Sequence, residues 1–133
     1  MTNEAEVYFS LFAKDFDPEE VTRLVGLQPT AARRRGDPTP KYSYWHFSSG
    51  KVVNDIIDVY ELANRVVAQV KPHAERIAVA MNQLQLQAVL QVVLWITMDE
   101  SKSTPAIGFE PEVIAFLSTL GASIDIDTHR NAT

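Results

Sequence analysis

The chain contains no cysteine. That absence removes disulfides, thiol nucleophiles and thiolate-based zinc sites from consideration. Long hydrophobic runs are missing too. The longest, Val89 to Met98, is broken by Gln91 and falls well short of the roughly 20 apolar residues that span a bilayer. Nor is there an excess of basic charge. Lys and Arg number 12 against 17 Asp and Glu, a net charge of −5, which argues against nucleic acid as the main partner because phosphate neutralisation drives that binding. The opening residues carry Glu4 and Glu6 where a signal peptide carries Lys or Arg, and no apolar segment follows. The expected location is the cytoplasm, with no membrane partner.

What is present is ordinary globular material. With 46% hydrophobic and 22% charged residues over 133 positions, the chain reads as one domain over residues 1–133, with a polar tail from about residue 128. A domain of this size buries enough surface to fold without a metal or a disulfide, and no cofactor is expected.

Periodicity sets the elements. Val7, Phe9 and Leu11 alternate with Glu6, Tyr8 and Ser10, which predicts a strand over 7–13. Asp17, Pro18 and Glu20 form a helix start with a capping-box pattern, Val21, Leu24 and Val25 supply its apolar stripe, and Gly26 its stop. Leu27 to Lys41 reads as a loop, and Tyr42 to Ser48 as an aromatic strand. A long helix is predicted from Asn54 or Asp55, with Ile56, Tyr60, Ala63, Val67 and Val70 at helical spacing, until Pro72 ends or kinks it. A further helix covers 73–84, the strongest strand 87–98, a short strand 105–109, a final helix from Glu110 to Gly121 and a last strand 122–127.

The resulting order is β-α-β-α-β-β-α-β. It predicts an α+β protein, most simply a ferredoxin-like sandwich with helices on one face of a mainly antiparallel sheet. Phe16-Asp17-Pro18-Glu19 with Leu24-Val25-Gly26 is echoed by Phe109-Glu110-Pro111-Glu112 with Thr119-Leu120-Gly121. The echo fits either an internal duplication or common helix punctuation.

Helices on one face leave the other open. Ala88, Leu90, Val92, Leu94, Ile96 and Met98 form the apolar face of the strongest strand, joined in the core by Trp45, Phe47, Ile124 and Ile126. The open face then carries Tyr8, Tyr44, His46, Gln91, Trp95, Asp125 and Asp127. Aromatics among scattered polar groups suit a binding or self-association surface, although a loop or tail covering them is the plainer alternative.

Candidate chemistry is sparse. Of the three histidines, His73 is expected in solvent and His129 in the tail, leaving His46 beside Trp45 as the one near a surface that could bind. Asp125, Asp127 and His129 alternate and could hold a divalent cation from one strand face, although such acids more often form a solvated face; no metal site is assigned. Arg33, Arg34 and Arg35 on a Gly- and Pro-rich loop could hold a carboxylate or phosphate, unless they diverge and pair with nearby acids. No Ser-His-Asp arrangement or nucleophile motif is readable, and no catalytic residue is assigned.

Phe16-Asp17-Pro18-Glu19-Glu20-Val21-Thr22, Leu24-Val25-Gly26-Leu27-Gln28-Pro29-Thr30, Arg35-Gly36-Asp37 and Tyr44-Trp45 together resemble the bacterial domain-of-unknown-function family 4279. Leu120-Gly121-Ala122 followed by Ile124-Asp125-Ile126-Asp127 is similar to that family's C-terminal pattern. The resemblance covers nearly the whole chain. It implies a fold-sized unit and brings no catalytic residues with it. The leading expectation is therefore a non-enzymatic domain that binds itself, as a homodimer, or another protein through Tyr8, Tyr44, His46 and Trp95. The alternative is a small-anion or enzymatic site between Arg33–Arg35 and His46.

Overall fold

In the computed structural model, which describes residues 2–132, the first strand is longer than its alternation predicts. β1 (Asn3–Ala13) buries Ala5, Val7, Phe9 and Leu11 completely on one face. Its start is pinned by Asn3, itself fully buried. The Asn3 amide donates to the carbonyls of Asp55 (3.1 Å) and Ser103 (2.9 Å), and its Oδ1 accepts from the Thr97 N–H (2.8 Å). A polar side chain survives in a core because each of its groups is satisfied.

α1 (Pro18–Val25) begins and ends as its sequence dictates. Asp17 Oδ1 accepts from the Glu19 N–H at 3.0 Å, and Gly26 closes the helix at φ 77°, where a glycine costs least. The capping box is not completed, because the Glu20 carboxylate turns to Arg23 within the same helix. The free carbonyls at the end of α1 are met from far along the chain. Arg76 donates to Leu24 (2.8 Å) and Arg23 (3.2 Å), and His73 Nδ1 sits 3.1 Å from the Val25 carbonyl. His73 is thus a cap on α1 rather than a solvent-facing residue.

The expected loop contains a short strand, β2 (Ala31–Arg33), antiparallel to β3 (Ser43–Ser48). β3 runs antiparallel to β1, and the line continues as β4 (Val52–Asn54) after a bulge. Tyr8 pairs with Ser48 and Ala5 with Val52, so three residues oppose two, with Gly50 at φ 79°. Pairing with β1 therefore claims Asn54, one of the two residues predicted to start the long helix. α2 (Val59–Val70) begins later, and Ile56 is exposed outside it. Lys71–His73 forms a 3-10 turn around Pro72, leading into α3 (Ala74–Leu84). The strand expected over 105–109 is reduced to one bridge between Ala106 and Asp58.

β5 (Gln87–Thr97) lies antiparallel to β1, and after α4 (Pro111–Leu120) the chain returns as β6 (Ser123–Asn131), parallel to β5. The tail expected from about residue 128 is still strand, because Thr128–Asn131 pair with Leu94–Thr97. Thr133 lies outside the described residues.

The sheet order is β2-β3-β1-β5-β6, with β4 also on β1. β3 thus separates β1 from β2, and β1 separates β3 from β5. The helices gather on one face. Trp45, fully buried, donates from Nε1 to Thr22 Oγ1 of α1 (3.0 Å), and the Phe9 ring meets Phe116 of α4. An α+β protein with one covered sheet face is what the alternation predicted. The element order differs, reading β-α-β-β-β-α-α-β-α-β. The two echoed segments share helix punctuation but not strand placement: α1 leads to a strand two positions from β1, α4 to the direct neighbour of β5. Ile124 and Ile126 point to the helix side, yet stay 38% and 39% exposed at the sheet margin, and Met98 lies beyond β5 in solvent.

Candidate functional site: an aromatic trough on the open sheet face

Pairing registers decide which open-face residues meet. Tyr8 of β1 lies opposite Ser48 of β3 and Gln91 of β5, Ser10 opposite His46 and Val89, and Phe12 opposite Tyr44 and Gln87. On the far side of β5, Gln91 neighbours Asp125 and Val89 neighbours Ser123. Large rings on β1 and β3 therefore stand beside small residues, Ser10 and Val89, on the sheet's middle strands. The outcome is a trough of about 490 Å³ walled by Tyr8, Tyr44, His46 and Phe12 on one side and by Gln91 and Asp125 on the other.

His46 is the centre of the aromatic wall. Its ring stacks on Tyr8 at 4.3 Å and on Tyr44 at 4.3 Å between centroids, with interplanar angles of 24° and 28°. Burial pushes its pKa down to about 4, because a charged ring here would lose its water. The imidazole is consequently neutral near pH 7, offering one donor and one acceptor nitrogen. Among the described residues neither nitrogen has a hydrogen-bond partner. The Tyr8 phenol is pushed up from its ordinary value, first by burial and then by Glu6, Asp127 and Asp125. Those carboxylates give the trough a negative rim.

The family model described as "Domain of unknown function (DUF4279)" matches residues 3–131. The chain belongs to this family. No curated protein and no solved structure matches it.

The remaining candidate residues of this DUF4279 chain divide into separate places. Trp95 faces the same way as the trough but stands further along β5, opposite Glu4. His129 stacks on it at 5.8 Å, Lys51 Nζ sits 4.4 Å above its ring, and Lys51 also pairs with Glu4 at 3.2 Å. Trp95 is thus already covered on its own patch. The three arginines diverge. Arg33 lies opposite Tyr44 in the β2–β3 register. Arg34 Nε pairs with Asp15 at 3.1 Å, and that hydrogen bond holds the Asp15 carboxyl below its usual range. Arg35 donates its N–H to Ser43 Oγ (2.8 Å) and lines a wide polar depression with Lys14, Asp37 and Lys41. One anion clamp made of all three does not form. Asp125, Asp127 and His129 do share a face. However, Gln91 donates to Asp127 Oδ2 (3.2 Å), His129 is stacked on Trp95, and among the described residues no group of such side chains converges as a metal site.

Phe12 and Val89 belong to the trough and were not among the expected site residues. Alternation puts both on the open face, but only the cross-strand register brings them beside His46 and Ser10.

Proposed function

We propose that this chain is a non-enzymatic binding domain that holds a planar, uncharged or cationic group in the trough of its open sheet face. The observation that carries the reading is the Tyr8–His46–Tyr44 stack, whose central imidazole is neutral and has both nitrogens available. Ring faces attract flat groups and cations, and an unpaired imidazole adds directional hydrogen bonding. A volume of about 490 Å³ falls within the roughly 300–1,000 Å³ of ligand pockets. Asp125 and Asp127 favour a cation over a phosphate. Ser10 lies opposite His46 without a hydrogen bond between them, and a ring held at a pKa of about 4 is a weak base at neutral pH, so binding is favoured over catalysis. An aromatic or arginine side chain of a partner protein carries the same chemistry as a small planar ligand.

The ferredoxin-like architecture belongs to this proposal. Two interleaved strand-helix-strand units, with β3 between β1 and β2 and β1 between β3 and β5, support it; α4 and β6 are then an addition outside the core. Such a sandwich leaves one sheet face clear of helices, which is where the trough sits.

The test is a titration of the ¹⁵N-labelled protein with benzamidine, indole and phenyl phosphate, a planar cation, a planar neutral and a planar anion. The expected result is shifts confined to β1, β3 and β5 around Tyr8, Tyr44 and Val89, from benzamidine and indole, and lost in Tyr44→Ala. Strongest binding by phenyl phosphate, near Arg33, would instead support the small-anion site. Shifts scattered away from the trough would remove the reading.

A further inference from the structure

The sheet has two very different margins. At one end β2 is only three residues long and runs into a segment with Pro38 and Pro40, a blunted edge. At the other end β6 is nine residues long and contains no Pro, Gly or Lys, and among the described residues no strand lies beyond it. The Asn131 carbonyl accepts from the Met98 N–H. Odd-numbered residues of β6 therefore turn their main chain toward β5, while Ile124, Ile126, Thr128 and Arg130 turn theirs outward. Ile124 and Ile126 also present half-exposed side chains at this margin.

Charge along β6 is polarised. Asp125 and Asp127 occupy its first half, and its second holds the cationic Arg130 together with His129, whose ring can hydrogen-bond a carboxylate. A strand with this pattern is complementary to itself only when antiparallel. A twofold axis at Ile126 sets Asp125 against Asp127 of the other copy, and one at Asp127 sets that carboxylate against itself. With the axis at Thr128, Asp127 faces His129 and Ile126 lies under the aliphatic stem of Arg130, with no carboxylate pair.

We infer that β6 pairs antiparallel with β6 of a second copy about a twofold axis at Thr128, joining two sheets into one. The surface is distinct from the aromatic wall, so its test reads mass while the trough's test reads ligand shifts.

The absence of cysteine makes the register directly measurable. In a hydrogen-bonded antiparallel pair the Cα atoms lie about 5.5 Å apart, within disulfide reach. The full chain is expected to elute at twice its 14.9 kDa mass by light scattering. Thr128→Cys should cross-link to itself under mild oxidation ahead of Asp127→Cys and Ile126→Cys. Ile126→Pro removes an outward N–H without touching the β5 ladder, and should give a folded monomer. Thr128→Lys, which sets two ammonium groups on the axis, should do the same should the proline variant fail to fold. A wild-type monomer across the accessible concentration range overturns the inference. So does a dimer that survives Thr128→Lys, or one in which Thr128→Cys cross-links no faster than its neighbours.

Discussion

Acidification asks His46 to take up a proton where the fold gives that proton little water. The folded ring titrates at about 4, against an ordinary value of 6.5. The unfolded chain therefore binds the proton first as pH falls. The contribution of His46 to stability is whole above pH 6.5 and drains away as pH drops toward 4. The difference between the two values sets a ceiling of about 3 kcal/mol, at 1.36 kcal/mol per tenfold change in affinity for the proton. Part of the ring still meets solvent, which screens the charge and reduces the expected loss to about 1–2 kcal/mol. Other groups titrate in the same window, so the measurement is a comparison. Urea unfolding of wild type and His46→Phe at pH 7 and pH 4.5 should show the wild type losing about 1–2 kcal/mol more than the variant, which keeps a ring in the stack but cannot be protonated. A histidine chemical-shift titration reads the same ring directly. Parallel losses in the two proteins, or a His46 midpoint near 6.5, would refute the claim that burial keeps this ring neutral, and the binding argument built on it.

Two further substitutions probe what holds the sheet in place. Asn3→Ala deletes three hydrogen bonds that tie β1 to the segments at Asp55, Thr97 and Ser103; at about 1 kcal/mol each, with some rehydration of the exposed carbonyls, a loss of about 2–3 kcal/mol is expected in chemical denaturation. Gly108→Ala puts a methyl into the Tyr60 ring, so a cost of about 1–2 kcal/mol is expected by thermal melting, along with displacement of Tyr60; an unchanged melting temperature would mean that the ring swings freely into solvent.

Much of this protein is legible in its residues because local rules act over short distances. Alternation in β1 and β5, Asp17 with Pro18 at one helix start and Gly26 and Gly121 at two helix ends all fall where elementary stereochemistry puts them. The open face carrying Tyr8, Tyr44 and His46 follows from the same parity. The readings that changed involve partners remote in sequence. Asn54 is an acceptable helix start, yet it becomes strand with Val52 and Val53 because β1 offers them hydrogen bonds after the bulge at Gly50. Thr128–Asn131 look like a polar tail, yet pair with Leu94–Thr97. His73 looks solvated until α3 brings it to the end of α1.

Composition and periodicity by themselves determined the class of this protein, its covered and uncovered faces and the exclusion of thiol chemistry, because those properties depend on residue type and on spacing within one element. Only the tertiary structure decided that His46 sits between two tyrosines, that Trp95 belongs to another patch, that the three arginines part company, and that β6 is left as an open edge. Each of those is set by cross-strand register and strand order. A shift of register leaves every local pattern intact and changes every neighbour.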